Sequence, residues 1–326
     1  MGKRRMVRKV LFVGAAAIVG LGAWSYAAYR PTRDRAWQRI SAGSRIAATR
    51  CGPIEVAEAG AGPPVLVVHG AGGGFDQGLD LGAGLVRAGF HVIAPSRFGY
   101  LRTPMPADAS AEAQADAHAC LLDALGVARA AIVGVSAGGT SALKLAARHP
   151  ERATALVLLV PAVYAPRPEG GATTRASPTL MMLFDTALRS DFLFWAGSTL
   201  APRTFVRTVL GTPADLVATA PAAERARIAA VLDHILPVSA RRAGLLNDAK
   251  VLSSSARDDL ERIGTATLAI SAADDLYGTF EGARYTAEHI PGARFVGYPS
   301  GGHMLVGHDA ATSEEIATFL REHAKD

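Results

Sequence analysis

Along this chain apolar residues gather in short unbroken runs, separated by stretches in which they recur every three or four positions. Ile46–Thr49 and Ile54–Ala59 read as two strands joined by a turn at Cys51-Gly52. Pro64–His69, Phe90–Ala94, Ala130–Val135 and Ala155–Val160 follow as continuous apolar runs, the first ending in a Gly-rich loop and the second in Pro95. Between them, Ser110–Leu125 and Gly138–His149 carry helical periodicity. Runs this short and this apolar fit strands buried on both faces, and their alternation with helices fits a parallel sheet. The rhythm breaks from Pro161 to about Arg262, where helical stretches such as Thr179–Arg189 and Ala222–Ile235 are separated by Pro- and Gly-containing turns. It resumes with strands at Ala266–Ser271 and Arg294–Val296 and a last helix at Ser313–His323. The pattern predicts one α/β domain interrupted by a helical insertion of about 100 residues, placed as a lid over the C-terminal edge of the sheet. The expected divisions are an N-terminal segment 1–35, a first core part 36–160, a lid 161–262 and a second core part 263–326.

The length of 326 residues and a 49% hydrophobic content suit a single large core with an insertion. Charge refines the picture. Residues 1–50 hold eleven Lys/Arg and one acid, Asp34, a net +10, whereas the remaining 276 residues hold 23 basic and 28 acidic side chains, a net −5. The basic character belongs to the N-terminal segment, so the chain shows no basic face of the kind nucleic-acid binding needs.

That segment predicts export. Val10–Tyr29 is an uncharged stretch of about 20 residues, enough as a helix to span one hydrocarbon core. Lys3, Arg4, Arg5, Arg8 and Lys9 precede it, and Trp24, Tyr26 and Tyr29 stand at its far end, where amphipathic rings favour a membrane interface. A signal anchor holding an extracytoplasmic domain is expected, with a cleaved signal peptide as its rival through the small-x-small site Ser25-Tyr26-Ala27. A basic linker should follow over about 30–43. The two cysteines, Cys51 in a turn and Cys120 on a helix, are expected to lie apart and unpaired.

The candidate chemistry centres on Gly134-Val135-Ser136-Ala137-Gly138, a G-x-S-x-G between an apolar strand and a helix. Such a turn exposes the serine Oγ above the sheet and leaves no room for side chains at the flanking glycines. A hydroxyl needs a base, and a histidine base needs a carboxylate to fix its tautomer. His303 follows the last strand by a short loop, with His308 as alternative, and Asp274 and Asp275 follow the strand Ala266–Ser271. The order Ser, Asp, His along the chain completes the set.

Together His69-Gly70-Ala71-Gly72-Gly73-Gly74, the Ser136 pentapeptide, Ala272-Ala273-Asp274-Asp275 and Gly301-Gly302-His303 resemble the α/β-hydrolase superfamily over about residues 44–326. The resemblance implies an eight-stranded, mostly parallel sheet flanked by helices, with a helical lid after strand 6. It implies Asp275 as the acid, because Ala272 stands at the Gly of the family's G-x-x-D pattern, with Asp274 as fallback. It also implies an oxyanion hole from the backbone N–H groups of Ala137 and Ala71, with Gly72 as the alternative to Ala71, and an orienting role for His69. The loop Ser96-Arg97-Phe98-Gly99-Tyr100 stands where many relatives have D-x-R-G-x-G, which makes Phe98 a candidate for the pocket mouth beside a structural role for the loop, and Gly72 is a further candidate substrate-binding residue. Met181, Met182, Phe184, Phe192, Phe194, Trp195 and Phe205 are candidate lid walls for an apolar group.

A serine nucleophile argues against the epoxide hydrolases and haloalkane dehalogenases of the superfamily. The expected activity is carboxylic ester hydrolysis through an acyl-enzyme on a small to medium apolar ester, without metal or cofactor. The alternatives are a carbon–carbon bond hydrolase or perhydrolase with the same triad, and a non-catalytic ligand receptor of the same fold.

Overall fold

The computed structural model describes residues 2–166, 182, 185–253 and 256–323, and of residues 2–11 and 13–19 the backbone alone. Its core is an eight-stranded sheet in the order β1-β2-β4-β3-β5-β6-β7-β8. The strands are β1 (Arg45–Thr49), β2 (Gly52–Ala59), β3 (Pro64–Val68), β4 (His91–Pro95), β5 (Ala130–Val135), β6 (Ala153–Leu159), β7 (Thr267–Ala272) and β8 (Arg294–Tyr298). Only β2 runs against its neighbours; β4 through β8 are parallel. All eight strands coincide with the expected apolar runs to within two residues at each end; β5 and β7 are buried along their whole length and carry no charged side chain.

Helices cover both faces. Of these, α2 (Phe75–Arg87) is not among the expected helices; its sequence carries three glycines, which lower helix propensity. Two of these are set by packing: a Cβ on Gly78 would lie 2.8 Å from the Ala94 Cβ, and one on Gly82 2.7 Å from a Val92 methyl. In α3 (Ala111–Ala124), Ser110 caps the N-terminus by accepting the Ala113 N–H, at 3.2 Å. α4 (Gly138–Arg148) follows β5 directly.

Between β6 and β7 the described residues form only helical structure: α5 (Asp191–Leu200), α6 (Pro202–Val209), α7 (Ala214–Thr219), α8 (Ala222–His234), a short turn at Val238–Arg241 and α9 (Arg242–Ser253). They enclose their own apolar cluster, which includes Leu188, Val206, Ile228, Leu232 and Val238. Of the expected helix Thr179–Arg189, residues 179–181 and 183–184 lie outside the described residues. α10 (Thr279–His289) and α11 (Asp309–His323) complete the domain.

Two expectations about the N-terminal part change. Among the described residues no helix is long and apolar enough to cross a membrane. The apolar stretch belongs instead to one helix, α1 (Gly2–Ser41), which runs through Pro31 into the expected linker. Its last part is held by the domain: Tyr29, Ala36 and Ile40, spaced at helical intervals, are buried. The Tyr29 ring meets Phe192 and Trp195 of α5, each at 5.5 Å between centroids. The expectation of two unpaired cysteines is also overturned, since Cys51 and Cys120 form a disulfide. α3 packs against β1, beside the turn that carries Cys51, and the two Cα atoms lie 6.0 Å apart although 69 residues separate them in sequence.

Candidate active site

The sheet order reverses beside β3. The chain passes from β3 to β4 on one side, then crosses back to β5 on the other. Loops leaving β3 and β5 therefore diverge above their C-terminal ends and open a crevice there. His69–Gly74 leaves β3 and Ser136 leaves β5, so the reversal itself places the two candidate loops side by side.

Ser136 is the residue between β5 and α4, with φ of 51°, a left-handed backbone that a non-glycine residue adopts only under constraint. The constraint is visible. The Ser136 N–H donates to the Leu159 carbonyl at 3.0 Å, and the Ser136 carbonyl accepts both Gly139 and Ala162 N–H groups at 2.9 Å. The flanking glycines are required by close neighbours rather than by each other. A Cβ on Gly134 would lie 2.4 Å from the Ala142 Cβ, and one on Gly138 would lie 2.4 Å from the His69 carbonyl oxygen of the adjacent strand end.

Three distant side chains meet at this rim. The His303 Nε2 lies 2.9 Å from the Ser136 Oγ, and its Nδ1 lies 2.8 Å from Asp275 Oδ2. A carboxylate only accepts, so Nδ1 carries the proton and the Nε2 lone pair faces the serine hydroxyl. Asp275 is buried and held in turn: Oδ1 accepts the Tyr277 N–H at 2.8 Å and Oδ2 accepts the Thr279 hydroxyl. The neighbouring candidates are occupied elsewhere. Asp274 accepts the Gly302 N–H at 2.7 Å, fixing the loop that carries His303. His308 stacks on Tyr298 at 4.0 Å between centroids.

His69 orients its loop. Its Nδ1 donates to the Gly70 carbonyl at 2.7 Å and its Nε2 accepts the Arg97 N–H at 2.9 Å. Complete burial, reinforced by the Arg97 charge, holds its pKa well below the ordinary histidine value, so the ring stays neutral. In the loop beyond it, Gly72 adopts a φ of 73°, and its N–H faces the Tyr100 hydroxyl at 3.4 Å. Among the described residues, no acceptor takes the Ala71 or Ala137 N–H. Ala137 is the residue capping α4, where unpaired N–H groups and the helix dipole favour negative charge.

The remaining expected pocket residues are placed as follows. Phe98 is buried in the main core cluster, with its N–H donating to the Gln114 side-chain oxygen at 2.7 Å. Ser96 bonds Glu55 and the Phe75 N–H, a purely internal role. Trp195 and Phe192 pack on Tyr29 of α1, and Phe194 meets Phe205 inside the lid cluster. Met182 is 63% exposed. Met181 and Phe184 lie outside the described residues. The sequence reading missed four polar residues beneath the β3 loop: Gln77, Asp76, Arg241 and Asp248. Gln77 accepts the Gly70 N–H at 2.9 Å. Arg241, fully buried, pairs with Asp76 at 2.7 Å, and Asp248 pairs with Arg97 at 2.6 Å. Their partners are up to 165 residues away, so no local pattern could mark them.

Fold and rim together define an α/β hydrolase. The alpha/beta hydrolase fold family model matches residues 63–309, and the chain belongs to that family. Its relatives include 2-hydroxymuconate semialdehyde hydrolase of Pseudomonas putida, 44% identical over 104 residues. That match spans 31% of this chain and 37% of the relative, so the chain covers well under half the length of that curated protein. Among solved structures, an alpha/beta hydrolase fold protein from Nakamurella multipartita superposes with a TM-score of 0.66 at 29% identity, covering 87% of this chain and all (100%) of that one. An esterase from Exiguobacterium antarcticum, at 20% identity and a TM-score of 0.62 over 86% of this chain and 99% of its own, shares the fold.

Proposed function

We propose that the protein is a serine hydrolase acting on carboxylic esters, with Ser136 as nucleophile, His303 as base and Asp275 as its orienting acid. The observation that carries this reading is the unbroken Ser136–His303–Asp275 chain of 2.9 Å and 2.8 Å contacts. In the first half-reaction His303 Nε2 takes the Ser136 proton as Oγ attacks the ester carbonyl. Asp275 stabilises the imidazolium through Nδ1–H, and the Ala71 and Ala137 N–H groups receive the oxyanion. His303 then protonates the departing alcohol. In the second half-reaction His303 deprotonates water, which attacks the acyl-serine, and collapse returns the carboxylic acid and free Ser136. A preorganised N–H donor is worth about 3–4 kcal/mol when it meets the charge only in the transition state.

The test is covalent. A fluorophosphonate should label the purified protein and not Ser136→Ala, and short p-nitrophenyl esters should be turned over by the wild type alone. A folded wild type that neither labels nor turns over any ester would refute the proposal. The Pseudomonas putida relative favours a second reading. A semialdehyde acid offers water no ester to cleave, so hydrolysis there breaks a carbon–carbon bond. Turnover of 2-hydroxymuconate semialdehyde faster than of any ester would select that reading.

For location, we infer that the domain works outside the cytoplasm. Support comes from the basic-then-apolar N-terminus and from the Cys51–Cys120 disulfide, which persists in oxidising compartments. Leu21, Trp24 and Tyr26 are exposed, and among the described side chains of α1 the first that is buried is Tyr29. Cleavage after Ala27 would therefore remove the exposed part and leave the docked part. N-terminal sequencing of the mature chain tests this. An uncleaved chain in the cytoplasmic fraction, with both thiols open to alkylation, would refute it.

A further inference from the structure

The loop between β3 and α2 is held at several backbone groups. The Gly70 N–H donates to Gln77 at 2.9 Å, and the Gly73 N–H donates to the Gly70 carbonyl at 3.3 Å. The Gly72 N–H faces the Tyr100 hydroxyl. Arg97 donates to the His69 carbonyl at 2.9 Å and to the Gly70 carbonyl at 3.1 Å. Arg241 donates to the Gly73 carbonyl at 2.5 Å. From Gly70 to Gly73, the Ala71 N–H alone has no acceptor among the described residues.

The groups that do this holding are themselves fixed from the lid. Asp248, on α9, takes both Arg97 terminal nitrogens, at 2.6 and 2.7 Å, and the Tyr100 hydroxyl at 2.5 Å. Arg241, in the turn before α9, pairs with both Asp76 oxygens at the start of α2. All five side chains are buried. Without its partner, each buried charge would reorient or draw in water.

We propose that Asp248 and Arg241 are positioning residues for the oxyanion hole. The root of the lid, through Arg97, Tyr100 and Asp76, sets where the Ala71 N–H points. This stretch of the lid is therefore a fixed part of the catalytic frame rather than a moving flap. The inference rests on the ester-hydrolase reading above.

The test compares wild type with Asp248→Asn, which keeps the shape and removes the charge, and with Tyr100→Phe, which removes one hydroxyl and keeps the packing. Rates are taken per active site, counted by fluorophosphonate titration, so unfolded protein does not contribute. An alkyl trifluoromethyl ketone supplies the second readout, because its serine adduct places an oxyanion in the hole. Asp248→Asn should lower kcat about 10- to 100-fold, leave KM within about twofold and raise the ketone Ki by the same factor as kcat falls. Tyr100→Phe should move both quantities the same way by about 3- to 10-fold. Equal kcat per site in wild type and both variants would overturn the proposal while leaving the ester-hydrolase reading intact. So would a fall in kcat with an unchanged ketone Ki, which a merely structural role predicts. A folded wild type that forms no ketone adduct and turns over no ester would overturn both. Should Asp248→Asn fail to fold, Tyr100→Phe decides alone.

Discussion

His118 makes a quantitative prediction about stability. It sits on α3, wholly buried against α4 beneath the nucleophile turn, with Nε2 3.3 Å from the Ser141 hydroxyl and no partner for Nδ1. Burial, aided by the Arg97 charge, pushes its pKa down to about 3. An unfolded chain returns it to an ordinary histidine value of about 6.5. Between those two values the unfolded state binds one more proton than the folded state, so stability is full above about pH 6.5 and falls as pH drops. Each pH unit is worth about 1.4 kcal/mol once the unfolded histidine is fully charged. From pH 7 to pH 5 the loss owed to His118 is about 2 kcal/mol. His118→Gln cannot titrate. Whatever its own cost in packing, its stability should fall about 2 kcal/mol less than wild type over that interval. Urea denaturation of both proteins at pH 5, 6 and 7 measures the difference, and His69, buried in both, cancels from it. Parallel profiles would mean that His118 charges without cost in the folded state, and the reasoning from its burial would be wrong.

Other consequences follow from single contacts. Asp275→Asn should lower kcat by about 10⁴ with the fold retained, since the wrong histidine tautomer would face Ser136. Asp274→Asn, which touches only the Gly302 N–H, should cost less than about tenfold by the same assay. Gly138→Ala would drive its Cβ to 2.4 Å from the His69 carbonyl, pushing α4 off the β3 loop by about 1 Å. A displacement of that size costs about 100-fold in kcat and about 1–3 kcal/mol in stability; wild-type kcat in that variant would count against the elbow geometry. Closing a 69-residue separation, the Cys51–Cys120 disulfide should contribute about 4 kcal/mol, read as the change in urea midpoint on paired serine substitution. Asp76 gives a further acid dependence. Burial pushes its pKa up, but the Arg241 guanidinium outweighs this and Arg39 adds to it, so the carboxylate is held below its ordinary value. Its stabilising contribution is present above the ordinary carboxylate pKa and is lost as pH falls through the lowered folded value. Asp76→Asn should therefore be less acid-sensitive than wild type at pH 2–4.

Much of this molecule is written locally. Strands buried on both faces leave unbroken apolar runs, so β3 through β7 could be read directly. The Ser136 turn could be read because its two glycines answer to close contacts of the kind such a strand-to-helix turn makes. The order of serine, acid and histidine at three strand ends placed the candidate triad on one rim, because parallel strands all end on the same side. Tertiary structure decided what depends on partners far apart in the chain. Only the fold put Cys120 over Cys51, docked Tyr29 on Phe192 and Trp195, gave Asp275 to His303 and Asp274 to Gly302, and sent Arg97 inward to Asp248. Periodicity and spacing report which face of an element is buried. They carry no record of which element, 69 or 151 residues away, will lie against that face.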